Sequence, residues 1–264
     1  MKKILILGGR SFLASQFKKY LNKNNEKFIS VDETVSNNYS LSFLDNILKK
    51  EKPSVILDFK FPLVSSNDKD YKHIDEDSFF RTQKNLLLAL ENTRLNLDKL
   101  ILISSSKAQN GKNFYSTLKR KQEMLYETFF DNDDLKILRL DSVFGPGDLS
   151  NTRLIPFYFR NVIDNKTLNF NFEPNDISRF IFIDDALNYI YKELNNKTAK
   201  NMTTEISFID LIQTFSFIFE KNYNIIPNIM NNNEKLESLN MTKDHYFYKN
   251  LEKTASWYFD FLSN

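Results

Sequence analysis

The stretch ILILGGRSFLA at residues 4–14 constrains the fold more than any other part of the chain. An uninterrupted, β-branched apolar run is the mark of a strand covered on both faces. It ends at Gly8-Gly9. Apolar residues then recur at helical spacing (Phe12, Leu13, Phe17 and Tyr20) as far as residue 23. Strand, glycine turn and helix in this order begin a parallel sheet, because a crossover helix must carry the chain back to the same end of the sheet.

The unit repeats. Residues 27–31 predict a second strand closing on Asp32, 44–50 a helix and 54–59 a third strand. A helix over 79–90, a very apolar strand at 100–103, a helix over 115–130 and a strand at 136–140 follow. After Gly145-Pro146-Gly147 the rhythm loosens: residues 150–177 are Asn-rich and partly helical, 179–183 read as a strand, and 186–194 and 208–219 as helices. A terminal amphipathic segment ends at Trp257-Tyr258. The expected fold class is α/β, a Rossmann-type doubly wound parallel sheet with a smaller C-terminal lobe. Residues 1–150 and 178–200 are assigned to the sheet core, and 151–177 and 201–264 to the lobe.

Composition removes several function classes. With 36 basic and 34 acidic residues the net charge is +2, and the basic residues are dispersed. That gives no electrostatic case for a nucleic-acid partner, and KKEK at 49–52 reads as a solvated helix end. The chain has no cysteine, which excludes disulfides and a cysteine nucleophile and fits a reducing, cytoplasmic setting. The run ILIL is too short for a signal peptide, and no stretch approaches the ~20 apolar residues that span a bilayer. His73 and His245 are the only histidines. Both read as surface residues, and no metal is expected.

The first turn suggests a ligand. Glycines let a backbone approach phosphates, and the free amides of a helix N-terminus bind the charge. Gly8, Ser11 and Ala14 stand where three glycines would be expected, and Ser and Ala keep the packing small. Gly8, Gly9, Ser11, Phe12 and Leu13 are the candidate pyrophosphate residues. Asp32 can accept both ribose hydroxyls of an adenosine and would repel a 2′-phosphate, so NAD is expected over NADP. A purely structural turn and an exposed turn aspartate are the alternatives. Further on, NFYSTLKRKQEML at 113–125 sets Tyr115 and Lys119 on one helix face. A nearby ammonium favours the phenolate, so such a phenol can exchange a proton with a hydroxyl or ketone near neutrality. With 12 tyrosines and many lysines in the chain, such a pair also arises by chance. Its weight comes from what flanks it.

Taken in order, ILILGGRSFLAS, ILISSS followed by FYSTLK, LRLDSVFGPGD and RFIFIDDAL make the chain resemble the extended short-chain dehydrogenase/reductase family. More narrowly, it resembles the NAD-dependent epimerase/dehydratase group that acts on nucleotide sugars. The resemblance covers nearly the whole chain, and it implies that the core of residues 1–150 and 178–200 binds the dinucleotide and the lobe of 151–177 and 201–264 the substrate. It implies that Tyr115 transfers the proton, that Lys119 also holds the nicotinamide ribose, and that Ser106 hydrogen-bonds the reacting oxygen. Ser104 and Ser105 are then strand and turn residues. Phe59 would line the cofactor path, and Leu140 and Asp141 would lie near the nicotinamide. Ser142 and Arg179 would contact a nucleotide-sugar substrate, Arg179 through its phosphates or else in a plain salt bridge. The helices over 79–90 and 116–130 would pair with their copies in a homodimer, with Leu118, Leu125, Phe129 and Phe130 exposed for that purpose.

The chain also departs from the family. His-x-Ala-Ala after the third strand is replaced by Asp58-Phe59-Lys60-Phe61, and the Asn of the next helix by Phe79. Only eight residues separate Ser106 from Tyr115. The Asp-Glu pair of nucleotide-sugar dehydratases is here Lys107-Ala108, and the Cys of double epimerase-reductases is missing. Two reactions at sugar C4 remain. Reduction of a 4-keto sugar is the expected activity. The alternatives are C4 epimerisation with tightly bound NAD and a catalytically silent dinucleotide-binding protein.

Overall fold

The structure is a computed structural model. It describes residues 2–32, 39–62, 75–110, 113–130, 134–151, 153–169, 173, 175–198, 200–230 and 245–263. His73 lies outside the described residues, whereas His245 is exposed at the start of the last helix.

The chain divides into two compact units, residues 1–140 with 190–198, and residues 141–189 with 199–264. The stretch 178–200, which the sequence places whole with the first domain, is divided between them after Tyr189.

Unit 1 holds a five-stranded parallel sheet built from β1 (Ile4–Leu7), β2 (Phe28–Val31), β3 (Val55–Asp58), β4 (Lys99–Ser105) and β5 (Leu135–Leu140), in the order β2-β1-β3-β4-β5. The helices α1 (Phe12–Lys23), α2 (Leu41–Glu51), α3 (Glu76–Thr93) and α4 (Phe114–Glu127) connect these strands. The winding reverses at β1, so a crevice opens at the carboxyl ends of β1 and β3. Strand side chains alternate between faces, and the register puts Leu5, Leu7, Ile56, Leu100 and Leu102 on one of them. There they bury against Leu44 and Leu48 of α2, Leu86, Leu87 and Leu90 of α3, and Tyr126 of α4. Each such side chain contributes roughly 1.5–3 kcal/mol on burial. Asp58 pairs with Leu7 and with Leu102 in register, so its carboxylate enters this same apolar layer.

Helix α4 turns a wide face inward. Leu118, Lys119, Gln122, Glu123 and Tyr126 are all buried, as i, i+4 and i+8 stacking requires. This corrects the expectation that Leu118 is exposed: it is fully buried, because it lies on the stripe that faces the sheet. Leu125 and Phe130 are partly buried against the core as well. The exposed apolar residues of α3, α4 and the following turn are Leu88, Met124 and Phe129.

In unit 2, β8 (Ile177–Phe182) runs parallel to β6 (Ser142–Phe144) and antiparallel to β9 (Thr203–Ser207). Helices α5 (Leu154–Ile163), α7 (Phe208–Tyr223) and α8 (His245–Ser263) supply an aromatic core around Tyr158, Phe159, Phe215, Phe219 and Tyr258. A two-stranded pair, β7 (Leu168–Asn169) with β10 (Ile229–Met230), completes the described strands, and α6 (Ile183–Leu194) runs from one unit into the other. Among the described residues, no helix is long and apolar enough to cross a membrane.

Candidate functional site

The glycine turn is a consequence of packing. Gly8 has φ +74°, and a Cβ there would stand 2.8 Å from the Lys60 amide nitrogen. The clash with backbone excludes a side chain, and the positive φ favours glycine as well. The Gly8 amide donates to the Tyr39 hydroxyl at 2.8 Å, and that hydroxyl reaches the Val31 carbonyl at 3.3 Å. A Cβ at Gly9 would collide with the Asp32 carboxylate and the Ser30 hydroxyl. Ser11 caps α1 by accepting from the Ala14 amide at 3.2 Å. Phe12 and Leu13 are half-buried in its first turn.

These residues fit a dinucleotide. The backbone of Gly8-Gly9 carries no side chain where it leads into the N-terminus of α1, and the Asp32 carboxylate lies over that same turn. Gly8, Gly9, Ser11, Phe12 and Leu13 would hold the phosphates and Asp32 the ribose. Phe59 is 6% exposed, with its ring 6.0 Å from that of Phe17. Its side chain therefore belongs to the core beside α1, and its backbone is what meets Gly8.

The catalytic candidates stand at the carboxyl end of β4. Ser104 and Ser105 close the strand, and Ser106 opens a single 3-10 turn over Ser106–Gln109. Asn113 then starts α4 with a reciprocal cap: its side chain accepts from the Ser116 amide at 2.9 Å, and its own amide donates to the Ser116 hydroxyl at 3.0 Å. Such a cap fixes where the helix begins, and so sets Tyr115 in the first turn and Lys119 in the second.

Lys119 is 5% exposed. Its ammonium donates to the Ile103 carbonyl at 3.0 Å and to Gln122 Oε1 at 3.4 Å, and it lies 4.0 Å from the centre of the Phe61 ring. Burial pulls its pKa down to about 8, against the opposing attraction of the Asp58 and Glu123 carboxylates. The Phe61 ring also meets Tyr115 edge-on, centre to centre at 5.1 Å, and Phe79 at 5.4 Å. Tyr115 and Lys119 thus converge on one aromatic ring. Two of the positions at which the sequence departs from the family it resembles, Phe61 and Phe79, touch each other there.

Sequence reasoning missed two networks beneath this pair. Glu123 is fully buried and accepts from Ser104 at 2.6 Å, from Arg139 at 3.0 and 2.9 Å, and from Arg120 at 3.1 Å. Burial pushes its carboxyl up, but the bonds from Arg139, Ser104 and Arg120 outweigh it and hold the group below the usual range. Asp58, also fully buried, accepts from Tyr126, from the Lys60 amide at 2.8 Å, and faces the Lys60 ammonium at 3.7 Å. The Lys60 ammonium lies 4.8 Å from the Tyr39 ring centre and is itself pulled down in pKa by burial, with Asp58 opposing. Gln122 ties the two layers, donating to the Lys60 carbonyl at 3.2 Å. Glu123 lies one turn beyond Lys119, a spacing that could have flagged it.

The remaining expected residues take other places. Leu140 is buried at the end of β5, opposite Ser105 in the ladder. In unit 2, Ser142 begins β6 half-buried, and the Asp141 carboxylate accepts from Thr203 at 2.7 Å. Arg179 is more than half exposed on β8 and pairs with Glu205 across the β8–β9 ladder at 2.7 Å. No group of three or more His, Asp or Glu side chains among the described residues is placed to hold a metal.

No family model matches the sequence, and no curated protein does. Solved structures match along nearly the full length. UDP-glucuronic acid 4-epimerase from Bacillus cereus in complex with NAD is 19% identical, with 97% of this chain and 96% of that one covered at a TM-score of 0.71. The dTDP-glucose 4,6-dehydratase from Bacillus anthracis in complex with NAD is 17% identical, with 98% and 96% covered at 0.71. UDP-glucose 4-epimerase from Thermotoga maritima with UDP-glucose is 13% identical, with 98% and 99% covered at 0.70. The chain has the fold that these enzymes share.

Proposed function

We propose that this chain is an enzyme of the NAD-dependent epimerase/dehydratase group that acts at C4 of a nucleotide sugar, as a 4-keto-sugar reductase. The observation that carries the proposal is Lys119. A buried ammonium held by two neutral acceptors costs folding free energy. It stands on the same helix face as Tyr115, at the carboxyl end of the sheet where such folds bind ligands. A perturbed lysine beside a phenol is what proton transfer needs.

NADH, when bound, supplies the hydride. Tyr115 gives its phenolic proton to the keto oxygen, Ser106 donates a hydrogen bond to that oxygen, and the Lys119 ammonium stabilises the phenolate left behind. Ser142 and Arg179 are the residues proposed to contact the sugar nucleotide. Arg179 can leave Glu205 for a phosphate at small cost, since an exposed ion pair contributes only about 0–1 kcal/mol. A cytoplasmic setting belongs to the same proposal and is supported by a chain without cysteine.

A second reading, C4 epimerisation, is supported by the epimerases among the structural neighbours. Mass spectrometry of the denatured, freshly purified protein separates the two. A reductase is expected to release little NAD, and a stoichiometric amount would turn the assignment to epimerase. A third reading, a silent dinucleotide-binding protein, is supported by the Phe61 ring lying over Lys119. It predicts NAD binding with no turnover on any 4-keto sugar nucleotide.

A homodimer through α3 and α4 completes the proposal, with Leu88, Met124 and Phe129 as its apolar contacts. Light scattering at micromolar concentration should give twice the 31.2 kDa of one chain, and Met124→Glu should return the monomer. A wild-type mass near one chain would remove the dimer.

A further inference from the structure

The carboxylate at the end of β2 is not alone. Both oxygens of Asp32 accept from Lys18 Nζ, each at 2.8 Å, and Oδ1 also accepts from the Ser30 hydroxyl. The pair is half-sheltered: the Lys18 side chain is 20% exposed and that of Asp32 46%. Lys18 sits on α1, about two turns past the glycine turn, so the helix that begins the phosphate site also delivers an ammonium to the ribose end. Arg10, exposed within the turn, adds a second positive charge nearby. The bond from Lys18, then that from Ser30, holds the Asp32 carboxyl below its usual range, with Arg10 a smaller influence.

A lone carboxylate rejects a 2′-phosphate by like-charge repulsion. Here that charge is already matched by Lys18, and an ammonium is a good phosphate donor in its own right. Resting on the dinucleotide site proposed above, we infer that Lys18 sets cofactor selectivity in this chain, narrowing the preference for NAD by admitting the 2′-phosphate of NADP. Two rearrangements serve the two ligands. With NAD, the ribose diol shares Asp32 with Lys18. With NADP, Lys18 turns from Asp32 to the phosphate, and Ser30 keeps a hydrogen bond on the carboxylate.

Calorimetric titration of the full chain with NAD and NADP tests this without reference to turnover. The wild type should prefer NAD by less than about tenfold, and Lys18→Ala should widen the ratio by about a further tenfold, mainly by weakening NADP. Lys18→Glu should widen it more. Raising the salt concentration should weaken NADP more steeply than NAD in the wild type, and this difference should shrink in Lys18→Ala. NAD binding with a ratio that neither variant alters would overturn the role of Lys18 and leave the dinucleotide site standing. Failure of the folded wild type to bind either cofactor would overturn the site and the inference together.

Discussion

Tyr115→Phe is expected to lower kcat on a 4-keto sugar nucleotide by about a thousandfold, within the range that general acid catalysis supplies. The change removes one hydroxyl and leaves the ring against Phe61, so the NAD affinity measured by titration should shift by less than about threefold. Lys119→Ala should damage both, because the ribose contact proposed for Lys119 is lost with the charge. The wild-type rate should carry the signature of the buried lysine. Burial pulls its pKa down to about 8, so the charge that stabilises the phenolate is present below that pH and lost above it. The rate should therefore decline on the alkaline side with a midpoint near 8. Retention of most activity by Tyr115→Phe, with an unchanged pH profile, would assign the proton to another group.

Asp58→Asn is expected to destabilise unit 1 strongly. It keeps the shape of the side chain and removes the counter-charge of Lys60, which is 6% exposed. Removing one partner of a buried ion pair costs about 3–5 kcal/mol, which for a chain of this size lowers the melting temperature by on the order of 10 °C. The pH dependence distinguishes this cause from lost packing. Lys60 has a folded pKa below its unfolded one, so the unfolded chain binds the extra proton between those two values, and stability there rises with pH. The deficit of the variant should be largest at neutral pH and shrink as the solution approaches pH 10. A constant deficit across that window, followed by thermal unfolding, would point to packing alone.

The parallel sheet was legible because each strand is a short apolar run bounded by turn or helix signals, and every helix of unit 1 begins and ends within a few residues of where its periodicity places it. The short strands β6 and β9 were not, since three to five mixed residues such as SVF and TTEIS carry no period of their own. Side-chain pairing was the least visible layer. In LDFKF nothing in the sequence distinguishes a strand-end aspartate from one buried against a lysine, because the partner Tyr126 is 68 residues away. Lys18 was likewise indistinguishable from any solvated helix lysine until β2 brought Asp32 beside it. The pair Tyr115 and Lys119 was readable because helical spacing is local. The Phe61 ring that joins them arrives from the loop after β3.

Gly8 has a bearing on how such chains age. Its Cβ-free position is enforced from behind, by the backbone of residues 59–60 and by its own positive φ, with no ligand needed to explain it. A lineage that abandoned the dinucleotide would still be obliged to keep glycine there or lose the junction of β1 with β3. Retention of Gly8 therefore records selection for folding, and the erosion of an abandoned site would begin elsewhere. Asp32 and Lys18, which neither the sheet nor the cap of α1 needs, are the positions where drift among descendants would first betray a lost cofactor.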